Sequence, residues 1–274
     1  MIDFNEIRRR LDAVDEFVGG EFYAKYKARP EFNVYNKYDP ASRELVAPGK
    51  KYLLLYQTDD AFTKPAEWLL SRYEKIFSVN NMVVDNPRVV SLPLGIVDVG
   101  RSISFALCNK YRDFSAFEAL RECRAAFSGA PSRLLYMNYR VPAGMKARRD
   151  SLAVKDGLED GSFTDDTFKG EGWLLFGDRR RYVEYFSKNL DHMFVACPEG
   201  FGVDSYRFYE TLYLGRIPVV LHNPVTDMFR DLPVLFLDKW SDFAAESRRF
   251  IDEFDIDRYS FEKLGRAYWR RVIG

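Results

Sequence analysis

The fold of this chain is decided by residues 193–221, which read MFVACPEGFGVDSYRFYETLYLGRIPVVL. Residues 193–197 form an apolar run of strand length, and the proline that follows ends it. The glycine-rich loop 198–203 leads into a helix that we expect over 204–214, with Asp204 as its N-cap and a glycine as its stop. Residues 217–221 suit a strand buried on both faces. The pattern predicts a right-handed strand–helix–strand crossover in a parallel sheet.

The loop after the first of these strands is placed to bind an anion. Ligands of parallel α/β sheets bind beyond the carboxyl ends of the strands, and the first backbone N–H groups of the next helix, near Ser205, lack partners within the helix. Arg207 adds a forked cation suited to phosphate, and Glu210 could accept hydrogen bonds from a ribose diol, so that phosphate and diol together indicate a nucleotide. The spacing alone equally fits an ordinary ion pair on a solvated face. The loop and the start of the helix also contain Pro198, Glu199, Gly200, Gly202 and Asp204.

The same stretch resembles the donor-binding signature of exostosin-like glycosyltransferases. Three further segments resemble this family in the same order: LYQTDD at 55–60, IFSVN at 76–80 with LPLGI at 92–96, and LPVLFLDKW at 232–240. The resemblance implies a GT-B architecture, in which two Rossmann-like domains face each other across a cleft and a C-terminal helix crosses back. It also implies sugar transfer from a nucleotide sugar, usually a uridine diphosphate (UDP) sugar, without an obligatory metal.

The length of 274 residues and an apolar fraction of 47% suit a soluble protein with two cores. We expect an acceptor-binding domain over 1–127, a nucleotide-sugar-binding domain over 128–258, and a closing helix over 259–274 that packs back on the first domain. Lys and Arg number 41, as do Asp and Glu. Because the chain has no net charge, we do not expect a general nucleic-acid binder.

The N-terminal sequence predicts an amphipathic surface helix. In Met1–Val18, apolar residues recur at helical spacing beside three consecutive arginines, and no signal peptide or transmembrane segment is visible. Exostosin-type enzymes of animals and plants commonly carry a membrane span here, so we expect a soluble relative without that anchor. Cys108, Cys123 and Cys197 form no metal-binding spacing and cannot all pair, which favours a reducing compartment such as the cytoplasm.

Two acidic residues, Asp59 and Asp60, follow a buried strand that we expect over Lys51–Tyr56. The carboxyl end of a strand is where α/β proteins place their chemistry, although position alone favours an N-cap or turn for a helix over Pro65–Tyr73. The resemblance implies that an acidic residue here faces the interdomain cleft and takes the proton of the acceptor hydroxyl in an inverting transfer. We assign this role to Asp59 first and to Asp60 second.

Asn80 and the turn that contains Pro93 and Gly95 are expected on the rim of the cleft. They lie at the ends of strands predicted over Glu74–Asn81 and Val89–Leu94, where backbone contacts could hold the acceptor or the donor. A tight turn with no ligand fits equally well. The remaining predicted elements are a polar, turn-rich segment over 19–50, a helix over Ser115–Ala126, a strand over Gly170–Phe176, and helices over Tyr182–Leu190, Asp242–Phe254 and Ser260–Ile273.

The second domain is expected to open with a strand over Leu134–Asn138, followed by a helix over Arg149–Leu158. The resemblance implies an arginine for the diphosphate after this first strand, and Arg148 and Arg149 are the candidates. A charge cluster of this kind is otherwise a solvated face. His222 follows a strand at its carboxyl end and is a secondary candidate ligand contact. With two histidines and no carboxylate spaced to join them, we expect no metal site.

The leading hypothesis is an inverting glycosyltransferase that moves a sugar from a UDP-sugar to a glycan hydroxyl and uses no prosthetic group. No basic pair near the motif requires a sugar carboxylate, which favours a neutral sugar such as xylose or galactose. The alternative is a catalytically inactive nucleotide- or glycan-binding module of the same fold. A Rossmann oxidoreductase is disfavoured, because Gly200 and Gly202 lack the third glycine of the dinucleotide motif and lie late in the chain.

Overall fold

The computed structural model of the protein describes residues 2–36, 44–56, 61–63, 67–96, 115–126, 130–142, 144–168, 179–200 and 202–274. Its strands are β1 Phe32–Asn36, β2 Tyr52–Tyr56, β3 Lys75–Ser78, β4 Val89–Ser91, β5 Arg133–Met137, β6 Phe163–Asp165, β7 His192–Ala196, β8 Ile217–Leu221 and β9 Leu235–Leu237. Its α-helices are α1 Phe4–Asp12, α2 Gly20–Ala24, α3 Glu67–Arg72, α4 Ser115–Ala126, α5 Lys146–Asp150, α6 Arg179–Asp191, α7 Tyr206–Tyr213, α8 Phe243–Glu253 and α9 Arg266–Ile273. Short 3₁₀ helices occupy Lys25–Ala28, Ser151–Lys155, Thr226–Phe229, Trp240–Asp242, Ile256–Arg258 and Glu262–Leu264. The described residues form an α/β protein with two parallel sheets, which confirms the predicted class.

The second sheet contains the stretch from which the fold was predicted. Its five strands lie in the order β6-β5-β7-β8-β9, and every neighbouring pair is parallel. The order reverses between β5 and β7, which is the switch point of doubly wound α/β folds, where a crevice opens at the carboxyl edge. The predicted strand–helix–strand unit is confirmed as β7, α7 and β8, with Ala196 paired to Val219.

The first sheet is parallel with the order β1-β2-β3-β4, and its strands bury side chains on both faces. Leu54 and Tyr56 of β2 pack on one face with residues of α2, while Leu53 and Leu55 pack on the other with Leu69 of α3. Successive side chains of a strand point to opposite faces, so one strand serves both layers. This explains why β2 reads as an unbroken apolar run.

The last helix lies against the first sheet, although it follows the second sheet in the chain. Trp269 and Ile273 of α9 are buried in the same cluster as Leu54 and Tyr56. The single helix predicted over Ser260–Ile273 is wrong in extent, because the chain first makes the 3₁₀ turn Glu262–Leu264 and then extends at a glycine before α9 begins.

Two helices from the range assigned to the acceptor domain pack with the second sheet. Ile7 and Leu11 of α1 belong to the core cluster that contains β5, β7 and β8, and Leu120 of α4 belongs to it too. Arg124 ties the two helices to α7, since it binds the Asp12 carboxylate and donates to the Tyr213 carbonyl at 2.8 Å. Helical periodicity identifies a buried face but does not say which sheet that face meets.

Two further local predictions are wrong, and one strand was missed. The segment 19–50, which was predicted as polar and turn-rich, contains α2 and β1. Buried and half-buried residues alternate along β1, and two of its five residues are asparagines, which are uncommon in strands. The helix predicted over Arg149–Leu158 begins earlier, at Lys146, and tightens into the 3₁₀ turn Ser151–Lys155. Strand β6 was not predicted at all. The strand expected over Gly170–Phe176 lies outside the described residues.

Candidate anion-binding site

Arg207 lies in the first turn of α7, near the switch point between β5 and β7. Its guanidinium carbon is 5.7 Å from the ring centre of Tyr139 and 5.8 Å from that of Tyr185. Its Nε is buried and has no hydrogen-bond partner in the described part of the chain, and such a donor typically costs about 1–3 kcal/mol. Burial opposes the charge of Arg207, but Tyr185, Cys197 and Glu210 raise its pKa on balance. Arg207 is therefore a half-buried cation whose Nε–H is shielded from solvent and has no acceptor among the described residues.

Arg148 is half-buried and braces the glycine-rich loop. Its Nε donates to the backbone carbonyl of Glu199 at 3.0 Å, and its Nη1 donates to the backbone carbonyl of Arg140 at 2.8 Å. Burial, together with the positive charges of Arg207 and Arg140, lowers the pKa of Arg148 to about 10. The structure thus places Arg148 between the ends of β5 and β7.

Arg140 is a third arginine at this site, and the sequence analysis missed it. It follows β5 and pairs through its backbone with Phe168. Its Nε is also buried, with no hydrogen-bond partner among the described residues. Only the strand order brings the end of β5 beside the end of β7, so no local motif could have indicated this residue.

The three guanidinium groups define what the crevice can bind. We call Arg140, Arg148 and Arg207 the arginine cluster. Burial is the main cause of the lowered pKa of Arg148, and the positive charges of Arg207 and Arg140 add to it. An anion would offset the repulsion between these charges and accept the unused Nε–H bonds, and the arginine fork matches phosphate oxygens. The N-terminus of α7, whose Ser205 N-cap makes no side-chain capping bond, adds backbone donors. The arrangement suits a phosphate or a diphosphate.

Glu210 lies behind Arg207 and away from solvent. The residue is only 7% exposed, and its Oε2 accepts from the hydroxyl of Tyr185 at 3.3 Å. Burial holds the pKa of Tyr185 well above its ordinary value, so this hydroxyl stays a donor. The alternative of an ion pair on a solvated face is wrong, because the carboxylate and the Nε of Arg207 are both shielded. The ribose role of Glu210 stays a prediction.

The glycine-rich loop lies against the arginine cluster at its first half. Pro198 and Glu199 follow β7 after one intervening residue, and burial raises the pKa of the half-buried Glu199 carboxyl. A Cβ at Gly200 would lie 3.4 Å from Nη2 of Arg148. Gly200 donates its N–H to the carbonyl of Gly202 at 3.0 Å, which closes the loop on itself.

Asp204 is not the N-cap of α7, and that prediction is wrong. The N-cap is Ser205, while the buried Asp204 carboxylate accepts from the backbone N–H of Leu94 at 2.9 Å and from the hydroxyl of Tyr209 at 2.6 Å. Burial raises the pKa of Asp204 to about 6, against the opposing effect of these donors. A buried N–H of the first domain needs an acceptor, and this tertiary demand overrides the local capping preference.

The rim residues of the first domain are placed in different ways. Asn80 is buried and touches the loop, since its Oδ1 accepts from the backbone N–H of Asp204 at 2.7 Å. Pro93 accepts a hydrogen bond from the Tyr23 hydroxyl at 2.7 Å. Gly95 has a φ of +78°, and a Cβ there would lie 2.2 Å from the carbonyl oxygen of Val18. The described contacts of Pro93 and Gly95 are thus with the segment 18–23, and their place on the rim of the cleft stays a prediction.

Arg149 and His222 are not brought to the arginine cluster by any described contact. Arg149 is exposed on α5, next to the half-buried Arg148. His222 follows β8, and its Nδ1 lies 2.8 Å from the Asp227 carboxylate. Although burial opposes them, hydrogen bonds from His222 and Arg230 hold the pKa of this carboxyl below its usual range. Of the two adjacent arginines, the structure singles out Arg148.

The other histidine and two of the cysteines have structural surroundings. His192 uses both ring nitrogens, at 2.6 Å from the Lys188 carbonyl and 2.8 Å from the Thr164 hydroxyl, and burial lowers its pKa. With both ring nitrogens bonded inside the protein, His192 has a structural role. Cys123 and Cys197 are free and buried, and burial raises the pKa of Cys197 to about 12. Neither thiol is poised as a nucleophile.

The predicted general bases, Asp59 and Asp60, lie outside the described residues, as does Cys108. Within the ranges that are described, no group of three or more His, Cys, Asp or Glu side chains is placed to hold a metal ion. No helix of the described chain has the length and apolar character needed to cross a membrane.

The chain was compared with known proteins at the level of family and of sequence. No protein-family model matches it, and no curated protein matches it. What the site binds must therefore follow from its own chemistry: three arginines, a helix N-terminus and a buried carboxylate at a switch point.

Proposed function

We propose that this protein is a glycosyltransferase that takes its sugar from a nucleoside diphosphate donor, with UDP as the nucleotide. The observation that carries the proposal is the arginine cluster at the switch point, where two buried Nε atoms lack partners among the described residues. A diphosphate supplies several acceptor oxygens and a negative charge at one place, which matches this excess of donors and positive charge. The GT-B arrangement of the two sheets is part of the same proposal.

The arginine cluster would act on the leaving group. In an inverting transfer, an acceptor hydroxyl oxygen bonds to the anomeric carbon as the bond from that carbon to the diphosphate oxygen breaks. The bonding electrons stay on the diphosphate, and the hydroxyl proton passes to a base. Fixed cations and helix N–H groups stabilise the charge that develops on the diphosphate, because they need not reorganise as it forms. Asp59 or Asp60 takes the proton in this proposal.

The donor sugar is a neutral one, such as xylose or galactose, and the acceptor is a glycan hydroxyl. Glu210 would accept hydrogen bonds from the ribose. A catalytically inactive nucleotide-binding module remains the alternative, because the arginine cluster explains binding without requiring a base. The two differ in one observable: an enzyme turns over a UDP-sugar, and it should do so in the presence of EDTA, whereas a module only binds it.

The adjacent arginines Arg148 and Arg149 provide a matched test. UDP binding is measured by isothermal titration calorimetry for wild type, Arg148→Gln and Arg149→Gln. We expect Arg148→Gln to weaken binding by roughly tenfold or more, because a hydrogen bond to a charged group is lost. The exposed Arg149→Gln should stay within about twofold of wild type. Absence of UDP binding in wild type, or equal losses in the two variants, would remove the diphosphate from this crevice.

A further inference from the structure

The glycine-rich loop meets the first domain at a buried polar contact. Asn80, which follows β3, accepts from the backbone N–H of Asp204 at 2.7 Å. In return, the Asp204 carboxylate accepts from the backbone N–H of Leu94, which follows β4, at 2.9 Å. Tyr209 of α7 donates to the same carboxylate oxygen at 2.6 Å. Each side of the contact thus supplies an acceptor for a backbone N–H of the other side.

The backbone holds this contact in one arrangement. Asn80 has a φ of 54°, in the left-handed region that asparagine tolerates better than other residues with a Cβ. Gly202 passes so close that a Cβ there would lie 2.6 Å from the Nδ2 atom of Asn80. The amide could make room for it only by giving up its bond to Asp204. The two positions are therefore sterically coupled.

The other end of the same loop touches the arginine cluster. Arg148 binds the carbonyl of Glu199 at 3.0 Å, and Gly200 is bonded to Gly202 at 3.0 Å. A displacement of Gly202 is therefore transmitted through Gly200 to the carbonyl that holds Arg148. One short loop links the edge of the first sheet to the anion site of the second.

We propose that Asn80 and Asp204 are positioning residues, which hold the glycine-rich loop at the place where Arg148 and the N-terminus of α7 meet the diphosphate. This rests on the proposed function, since the ligand concerned is the nucleoside diphosphate. Asp204 does not need to touch the donor, because its two carboxylate oxygens already accept from Leu94, Tyr209 and Ser205. Through these hydrogen bonds, Asp204 holds the start of α7 against the edge of the first sheet.

The test is a double-mutant cycle of Asn80→Gly and Gly202→Ala, read as the Kd of UDP. Glycine keeps the left-handed backbone at position 80 and removes only the amide. In the wild-type background, the alanine methyl at position 202 overlaps that amide, so we expect UDP affinity to fall by roughly tenfold or more. In the Asn80→Gly background, the same substitution should change affinity by about twofold or less.

A second readout needs no ligand. Amide hydrogen exchange of the segment 199–208 should be faster in both single variants, while thermal unfolding confirms that they are folded. If Gly202→Ala weakens UDP equally in both backgrounds, it acts on the ligand directly and the positioning role is refuted. Unchanged exchange in both single variants refutes it as well. If wild type binds no UDP while exchange responds as expected, the loop contact is supported and the proposed function fails.

Discussion

Replacing Arg140 by methionine should weaken UDP binding and, in the same variant, stabilise the ligand-free protein. Methionine keeps a long, flexible side chain but carries neither donors nor charge. The substitution removes a buried Nε that has no partner among the described residues, and it removes a positive charge that lowers the pKa of Arg148. Opposite effects on binding and stability are typical of a residue kept for its ligand.

The magnitudes follow from the lost interactions. A hydrogen bond to a charged group contributes about 1.5–3 kcal/mol, so the Kd of UDP should rise by roughly 10- to 100-fold at 1.4 kcal/mol per tenfold. Removing an unsatisfied buried donor relieves about 1 kcal/mol or more. For a protein of this size, that gain raises Tm by roughly 2–4 °C.

The assay is calorimetry with UDP, together with thermal unfolding with and without UDP. Arg149→Met is the matched control, because Arg149 is exposed and the same substitution there should change neither quantity appreciably. If Arg140→Met bound UDP as tightly as wild type, Arg140 would not face the anion. If its ligand-free Tm fell instead, the Arg140 side chain would have a stabilising role that the unsatisfied donor does not represent.

Three further predictions concern single carboxylates. Glu210→Gln should weaken binding of UDP but not of inorganic pyrophosphate, which has no ribose; equal losses in calorimetry would place Glu210 at the phosphates. The folded-state pKa of Asp204 is raised to about 6, so its contribution to stability is full below about pH 4 and is lost as pH rises through 6. The stability difference between wild type and Asp204→Asn, from urea unfolding, should therefore shift by roughly 3 kcal/mol between pH 4 and pH 7, and a flat difference would contradict the raised pKa. Asp59→Asn or Asp60→Asn should slow transfer by about 10²–10⁴-fold with UDP affinity nearly unchanged; full activity in both variants would move the base elsewhere.

The sequence predicted the second sheet well where local pattern and tertiary environment agree. The run over Ile217–Leu221 is a buried parallel strand with no polar residue, and the helix over Ser115–Ala126 has the predicted bounds. Each element buries the apolar surface that its sequence pattern indicated, so the local pattern and the packing agree. The partner of α4 was not predictable, because an apolar stripe suits any apolar surface of matching shape.

The part of the site that could be predicted consists of residues along one segment and of Arg148, which the family resemblance indicated together with Arg149. Arg207 and Glu210 stand in the motif, and a helix N-terminus next to a glycine-rich loop indicates an anion. Arg140 lies 67 residues before Arg207 in the chain and reaches the site only because β5 and β7 are neighbours. Asp204 was misassigned as a cap because its deciding partner, the N–H of Leu94, is 110 residues away. Long-range pairing of this kind leaves no trace in local spacing.

The contact between Asn80 and Asp204 also bears on the choice between an enzyme and a binding module. A module that only bound a nucleotide could do so with the second sheet alone, since the arginine cluster, Glu210 and α7 all belong to it. Transfer needs more, because an acceptor has to be held within about 3–3.5 Å of the reacting carbon and in line with the leaving group. In the glycine-rich loop, the carbonyl of Glu199 accepts a hydrogen bond from Arg148. Asp204, directly after the loop, accepts one from the backbone N–H of Leu94 at the edge of the first sheet. A loop shared in this way fixes the edge of the first sheet relative to the anion site, so the contact that supports donor affinity also sets the geometry that a bimolecular transfer requires.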